Sequence, residues 1–207
     1  MKTLLISGGS ASGKTWLARR IADTLPAATL LSQDNFYHDR PSARGRTDAA
    51  ADRHDFDFDQ PYAIDWEEMA RAVRRLQRGA VADVPVYDFT VSLRTGTQPL
   101  QPRGDLLILD GTLAMSQPVI RSLAQASVYV SCPEALRRAR RERRDVEDRG
   151  RHIDFVRAQL EGQVFPAHEQ HVRPSAVHAD LILPAPDIVA DPDAAVKRVL
   201  ELPGLAV

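Results

Sequence analysis

The sequence predicts an α/β fold, a parallel sheet flanked by helices, and three observations carry that expectation. Short apolar runs of the kind buried strands make alternate with segments of helical periodicity along the chain. A glycine-rich turn stands between the first such run and the first helical segment. The composition, 207 residues with 43% hydrophobic and 27% charged, supports a sizeable core and excludes a disordered chain.

The expected strands are Thr3–Ser7, Thr29–Ser32, Leu106–Leu109, Ser127–Ser131 and Asp180–Leu183. The expected helices are Thr15–Leu25, Asp65–Arg78, Gln117–Gln125, Pro133–Val146, Ile153–His171 and Pro192–Leu202. Asp65 with Glu68 makes a capping start, and Met69, Val73 and Leu76 then fall on one face. Val84–Phe89 alternates as a strand does, and with a turn near Thr95-Gly96 it predicts a small β-hairpin subsheet over about 81–101. Arg40–Asp57 is polar and turn-rich, which predicts a surface loop. No repeat or linker divides the chain, so residues 1–207 read as a single domain. The run Leu4–Ile6 is too short for a signal peptide, no stretch approaches the roughly 18 apolar residues of a membrane span, and Cys132 is the single cysteine. Together these point to a cytoplasmic protein without a membrane partner.

Gly8-Gly9-Ser10-Ala11-Ser12-Gly13-Lys14-Thr15 satisfies G-x-x-x-x-G-K-[ST] in the context the motif requires, after a strand and before a helix. Its glycines let backbone N–H groups wrap a polyphosphate, Lys14 reaches the terminal phosphates, and the Thr15 hydroxyl can bind Mg²⁺. Asp110, at the end of the run Leu106–Leu109, is the expected second metal carboxylate. The guanine-reading Asn-Lys-x-Asp pattern is absent, because Phe36 follows the single asparagine, Asn35. The chain is also small for a motor ATPase. What remains as the leading class is a P-loop NTPase that acts as a small-molecule kinase. Such chemistry needs an acid at the acceptor hydroxyl, and Asp34, closing the second strand, supplies a base or an outer metal ligand. Asp57-Phe58-Asp59-Gln60-Pro61 adds an acidic turn suited to sugar hydroxyls.

With these residues in place the chain resembles the uridine kinase family, within the wider uridine kinase/phosphoribulokinase group. The resembling segments are Gly8–Thr15, Ser32–Tyr37, Phe58–Pro61, Val84–Phe89, Leu109–Leu113, Arg144–Arg151 and Ala179–Pro184, in family order. The resemblance implies ATP-dependent phosphorylation of a nucleoside 5′-hydroxyl, uridine or cytidine first. It makes Asp34 the catalytic carboxylate, Tyr37 a nearby substrate residue, Asp59 the ligand of the ribose hydroxyls, and Tyr87 the base contact, with Phe89 close by on the substrate side. It places Arg144 and Arg149 near phosphates, and Arg141, Arg151 and Gln159 toward the substrate. A homo-oligomer is compatible with it. Two positions depart from the family pattern: Asp110 stands where Glu is usual, and Ser92 stands where a histidine helps read the pyrimidine. The second leaves open a kinase for another small alcohol, such as nicotinamide riboside, a phosphopentose or pantothenate. A non-catalytic nucleotide- or RNA-binding regulator is the reading from another class.

The cations are uneven. Only Lys2, Lys14 and Lys197 are lysines, while eight arginines crowd into 137–151 of a chain whose net charge is −1. That pattern reads as a local anion site, a helical lid over about 137–152 closing on a nucleotide, with Arg137, Arg141 and Arg144 on one face. Arg138, Arg140 and Arg143 read as a solvated face paired with Glu142, Asp145, Glu147 and Asp148. Acids interrupt the run and aromatics do not interleave it, which argues against a nucleic-acid partner. Trp16 and Trp66 read as core, Cys132 as buried, and His168 and His171 as packing or surface residues.

Overall fold

The computed structural model describes residues 1–25, 27–40 and 56–205. Most of the loop expected over Arg40–Asp57 lies outside the described residues. The strands of the main sheet are β1 (Lys2–Gly8), β2 (Thr29–Ser32), β5 (Leu106–Asp110), β6 (Ala126–Ser131) and β7 (Leu181–Pro184). They lie in the order β2-β5-β1-β6-β7, and every pairing is parallel. β1 is central because both of its faces are apolar: Leu5 faces one core while Leu4 and Ile6 face the other, all fully buried. Truncating Leu5 to Ala would open a cavity costing about 2–5 kcal/mol.

Helices α1 (Lys14–Thr24), α8 (Ala185–Ala190) and α9 (Pro192–Leu200) cover the Leu4 face, through Leu17, Ile21, Ile188 and Val196. The opposite face is covered by α2 (Trp66–Gln77). Asp65 caps α2, its Oδ1 accepting from the Glu68 N–H at 2.9 Å, and Met69, Val73 and Leu76 are fully buried on one stripe, as the spacing predicts. Parallel topology brings every strand's C-terminal end to one edge of the sheet. Gly8, Ser32 and Asp110 lie there together, and ligands bind at that edge in such sheets.

Four expectations need correction. The hairpin is β3 (Ala82–Asp88) against β4 (Leu93–Leu100), with its turn at 89–92 instead of Thr95-Gly96. Asp88 Oδ1 accepts from the Thr90 N–H and hydroxyl, and Ser92 takes the left-handed conformation at φ 59°. Gly96 instead lies opposite Val86, where the register shifts. The helix expected over Gln117–Gln125 is a short turn, α3 (Pro118–Arg121). The helix expected over Ile153–His171 begins as α5 (Ile153–Gln159), then widens into π-turns at Leu160–Val164 and His168–Val172 on either side of α6 (Phe165–Ala167), with α7 (Arg173–Ser175) beyond. Each wide turn ends two residues before a proline, Pro166 or Pro174. A proline has no N–H to offer the carbonyl four residues back, and the wider turn accommodates that loss. Finally, α8 is a helix the sequence reading lacks. No helix among the described residues is long and apolar enough to cross a membrane.

Candidate active site

The turn between β1 and α1 is built by backbone geometry. Ser12 N–H donates to Gly9 O at 3.1 Å, and Gly13, at φ 103°, caps α1 in a conformation side chains resist. A Cβ on Gly8 would lie 2.6 Å from Val130 O on β6, so the turn is held close to the neighbouring strand. Lys14 and Thr15 open α1, where the helix N-terminus favours anions. Burial pushes the Lys14 ammonium below its ordinary value, with Asp34 and Asp110 pulling it back up. The Thr15 hydroxyl donates to Asp110 Oδ2 at 2.6 Å, which brings together the two groups expected to hold a metal. A hydroxyl and a carboxylate beside a phosphate cradle fit Mg²⁺, which keeps phosphate oxygens and waters for the rest of its shell. Among the described residues no set of three or more His, Cys, Asp or Glu gathers as a metal cage.

Two cavities meet at this turn and share Lys14, Thr15 and Arg144. The first contains the sequence-predicted acceptor residues Asp34, Tyr37, Asp59, Tyr87, Phe89, Ser92, Arg141, Arg151 and Gln159, together with Ser10 and with Arg149, which is expected near the phosphates. It also contains Phe58, Thr112 and Phe155, which the sequence reading did not assign. Asp34 follows β2 in a 3₁₀ turn that Ser32 caps, its hydroxyl accepting from the Asp34 N–H at 3.3 Å. The neighbouring Gln33, fully buried, fixes that turn by accepting the Leu113 N–H at 2.9 Å, which ties the turn after β2 to the segment after β5. Asp34 is exposed to the cavity, and desolvation by the protein atoms crowded around it raises its pKa against the pull of Lys14. Desolvation raises Asp59 in the same way, opposed by Arg141. Asp57 shapes the turn that presents Asp59, accepting its N–H at 2.9 Å.

Tyr37, Tyr87 and Phe89 pack edge-on or tilted with centroids 5.0–6.1 Å apart, and Phe58 joins at 5.6 Å from Tyr37. They form an aromatic wall. Burial raises the Tyr37 and Tyr87 hydroxyls, while the Ser92 hydroxyl acts on Tyr87 in the opposite sense. The hairpin carrying this wall is anchored by Arg94. Its guanidinium pairs with Glu68 at 2.7 Å and donates to the carbonyls of Tyr37 at 2.8 Å and Phe36 at 3.1 Å, while its N–H donates to Asp39 at 2.7 Å.

Across the cavity stands α4 (Glu134–Glu147), whose inward stripe is Arg137, Arg141 and Asp145. Arg141 donates to Ser10 Oγ at 2.6 Å and to Gln159 Oε1 at 3.1 Å. Arg144, Arg149 and Arg151 gather with it around the buried carboxylate of Asp145. Burial alone would raise Asp145, but Arg141, Arg144 and Arg149 hold it below the ordinary carboxylate value. Asp145 therefore belongs to the site and not to a solvated face. Arg137 does not join Arg141 and Arg144. It is 3% exposed, its Cζ lies 5.4 Å from the Phe165 ring centroid, and it packs under Gly9. Arg138 pairs with Glu161 at 2.6 Å and Arg143 with Glu147, in keeping with a solvated face.

The second cavity has a volume of about 540 Å³ and is walled by Trp16, Arg140, Ala185, Ile188, Val189 and Pro192 beside the glycine-rich turn. Trp16 is 49% and Val189 66% exposed, so Trp16 is not a core residue. Arg140 likewise leaves the solvated face, with Nη1 3.4 Å from Ser12 O. Trp66 packs against the core and donates its indole N–H to Pro61 O.

The parallel sheet, the glycine-rich turn and the two joined cavities define a P-loop kinase. The chain belongs to the Phosphoribulokinase / Uridine kinase family, whose sequence profile matches residues 4–190. It is 34% identical over 183 residues to a uridine kinase of Halobacterium salinarum, covering 86% of this chain and 78% of that one. It is 32% identical over 187 residues to a uridine kinase of Lactococcus lactis, covering 88% of each. A solved phosphoribulokinase from Rhodobacter spheroides shares the fold at a TM-score of 0.60 and 17% identity, covering 88% of this chain and 70% of that one.

Proposed function

We propose that this kinase transfers the γ-phosphoryl group of ATP to the 5′-hydroxyl of a nucleoside, with uridine and cytidine the first acceptors to test. The observation that carries the reading is the place of Asp34: it lies in the acceptor cavity, within the field of Lys14 and Asp110, at the junction with the phosphate cradle. The adenine would rest on the shelf of Trp16, Ile188, Val189 and Pro192, with the phosphates in the turn at Gly8–Thr15. Mg²⁺, held by Thr15 and Asp110, would neutralise charge on the terminal phosphates when bound. Asp34 takes the proton of the 5′-hydroxyl as that oxygen bonds to the γ-phosphorus. The bond to the β–γ bridging oxygen breaks, and ADP leaves with the electron pair. A carboxylate whose pKa is raised by desolvation is a better match for this proton. Lys14, Arg144 and Arg149 stabilise the charge on the transferring group. Asp59 accepts hydrogen bonds from the ribose hydroxyls, the aromatic wall holds the base, and Arg141, Arg151 and Gln159 close on the substrate. The segment 137–152 acts as the lid and 81–101 as the base-binding arm of one domain.

The test is an acceptor panel with ATP, in which wild-type protein, Asp34→Asn and Ser92→His are compared by coupled ADP release. Nucleoside-dependent turnover lost in Asp34→Asn supports the reading. Turnover with a phosphopentose or pantothenate alone would move the acceptor class. No acceptor-dependent turnover, with tight salt-sensitive RNA binding, would favour a regulator.

A further inference from the structure

Asp145 is fully buried, and its two carboxylate oxygens divide the arginines in a particular way. Oδ1 accepts from Arg144 Nε at 2.9 Å and Nη2 at 2.8 Å, and it faces Arg149 Nη1 at 3.5 Å. Oδ2 accepts from Arg141 Nε at 3.1 Å and Arg151 Nη1 at 3.0 Å. Beyond the carboxylate these arginines make different further contacts. Arg144 lines the nucleotide-side cavity, and Arg141 reaches the glycine-rich turn at Ser10. Arg149 lies over the Phe89 ring, with its Cζ 5.7 Å from the centroid, and Arg151 lines the acceptor cavity. All four line the first cavity and Arg144 alone of them also lines the second, so the shared carboxylate ties the one arginine common to both cavities to three that face the acceptor.

We propose that Asp145 is a positioning residue that couples the two subsites, so that nucleotide and acceptor bind with positive cooperativity. The inference rests on the functional reading above, in which the two cavities take ATP and a nucleoside. Phosphate oxygens compete with Oδ1 for Arg144, and as that donor turns toward the phosphate, the carboxylate is left to hold Arg149 more firmly against the acceptor wall. Arg141, already fixed at Ser10, transmits the same ordering to Arg151 through Oδ2. The second ligand meets arginines whose freedom has already been spent, and its binding is tighter by that amount.

The experiment is calorimetric titration of uridine into wild-type protein, alone and with saturating Mg²⁺ and a non-hydrolysable ATP analogue. The nucleotide is expected to tighten uridine binding at least about fivefold, with the same factor in the reverse order of addition. In Asp145→Asn the factor is expected to fall to near one, while the analogue alone still binds through the glycine-rich turn. Arg151→Gln, which cuts one acceptor-side link and leaves the anchor, is expected to lower the factor as well. That variant decides the matter if Asp145→Asn does not fold, since a purely local contact would weaken uridine equally with and without nucleotide. A wild-type factor of one, or a full wild-type factor in either folded variant, overturns the proposal. Failure of the wild-type protein to bind uridine at all overturns the functional reading, a result distinct from a factor of one.

Discussion

Arg94→Ala is expected to separate acceptor binding from nucleotide binding. The guanidinium makes one charged pair and two carbonyl hydrogen bonds, and it sits with Glu68 at about a quarter exposure, 24% and 26%. At about 1 kcal/mol for each of three partly solvated bonds, the substitution costs roughly 3 kcal/mol. For a chain of this size that is a fall in Tm of roughly 10 °C. Arg94→Lys can keep the Glu68 pair but not the fork, and recovers about a third of the loss. The functional consequence follows from what the side chain anchors. Arg94 joins β4 to the carbonyls of Phe36 and Tyr37, so its loss frees the hairpin that carries Tyr87, Phe89 and Ser92. KM for the nucleoside is expected to rise about tenfold or more, about 1.4 kcal/mol, with KM for ATP unchanged. Thermal melting and steady-state kinetics with each substrate varied read both effects. Equal rises in the two KM values, or a loss of stability with no change in acceptor KM, would refute the role given to this anchor.

Asp34→Asn is expected to lower kcat by about 10²–10⁴-fold with little change in nucleotide affinity. Because desolvation raises the pKa of Asp34, the acid limb of the wild-type kcat/KM profile is expected above the ordinary carboxylate value of 3.8. Activity falls as pH drops through that raised value, and a limb at or below 3.8 would count against Asp34 as base. Trp16→Ala is expected to weaken ATP by about tenfold, about 1.4 kcal/mol, and to spare the nucleoside, as fluorescence titration of each ligand would report. His168 is buried beside Arg137, and desolvation pushes its imidazole down from 6.5 to about 4. The unfolded chain therefore binds this proton first, and stability is intact above pH 6.5 and lost as pH falls toward 4, by roughly 3 kcal/mol in all. Urea melts of wild type and His168→Gln across that window test it, and equal slopes in the two proteins would contradict the assignment.

The parallel strands were legible because burial on both faces makes each an unbroken apolar run, and the phosphate turn was legible because its backbone needs leave a dense signature. The hairpin turn was misplaced because Thr95-Gly96 looks like a turn in sequence, whereas the Asp88 side chain and a left-handed Ser92 close it. The long helix is less regular than its periodicity predicts because Pro166 and Pro174 interrupt its hydrogen bonding. Asp145 was hidden by its company. In an arginine-rich helix an aspartate reads as a surface partner, and only its place four residues after Arg141 and eight after Arg137 marks it as part of the inward stripe. The nucleotide-side shelf was missed because its residues come from α1, α8 and the start of α9, short segments far apart in the chain.

The gathering of Lys14, Arg141, Arg144, Arg149 and Arg151 along one cavity has a kinetic consequence. In a chain with net charge −1 these five cations outnumber the carboxylates of Asp34 and Asp59 on the same cavity wall, and that local positive excess acts on anions outside it. On the proposed function, the association rate for ATP is expected to fall with ionic strength while the dissociation rate changes little. Inorganic phosphate and sulfate are expected to compete for the same arginines, which makes the choice of buffer anion a variable of the measured rate.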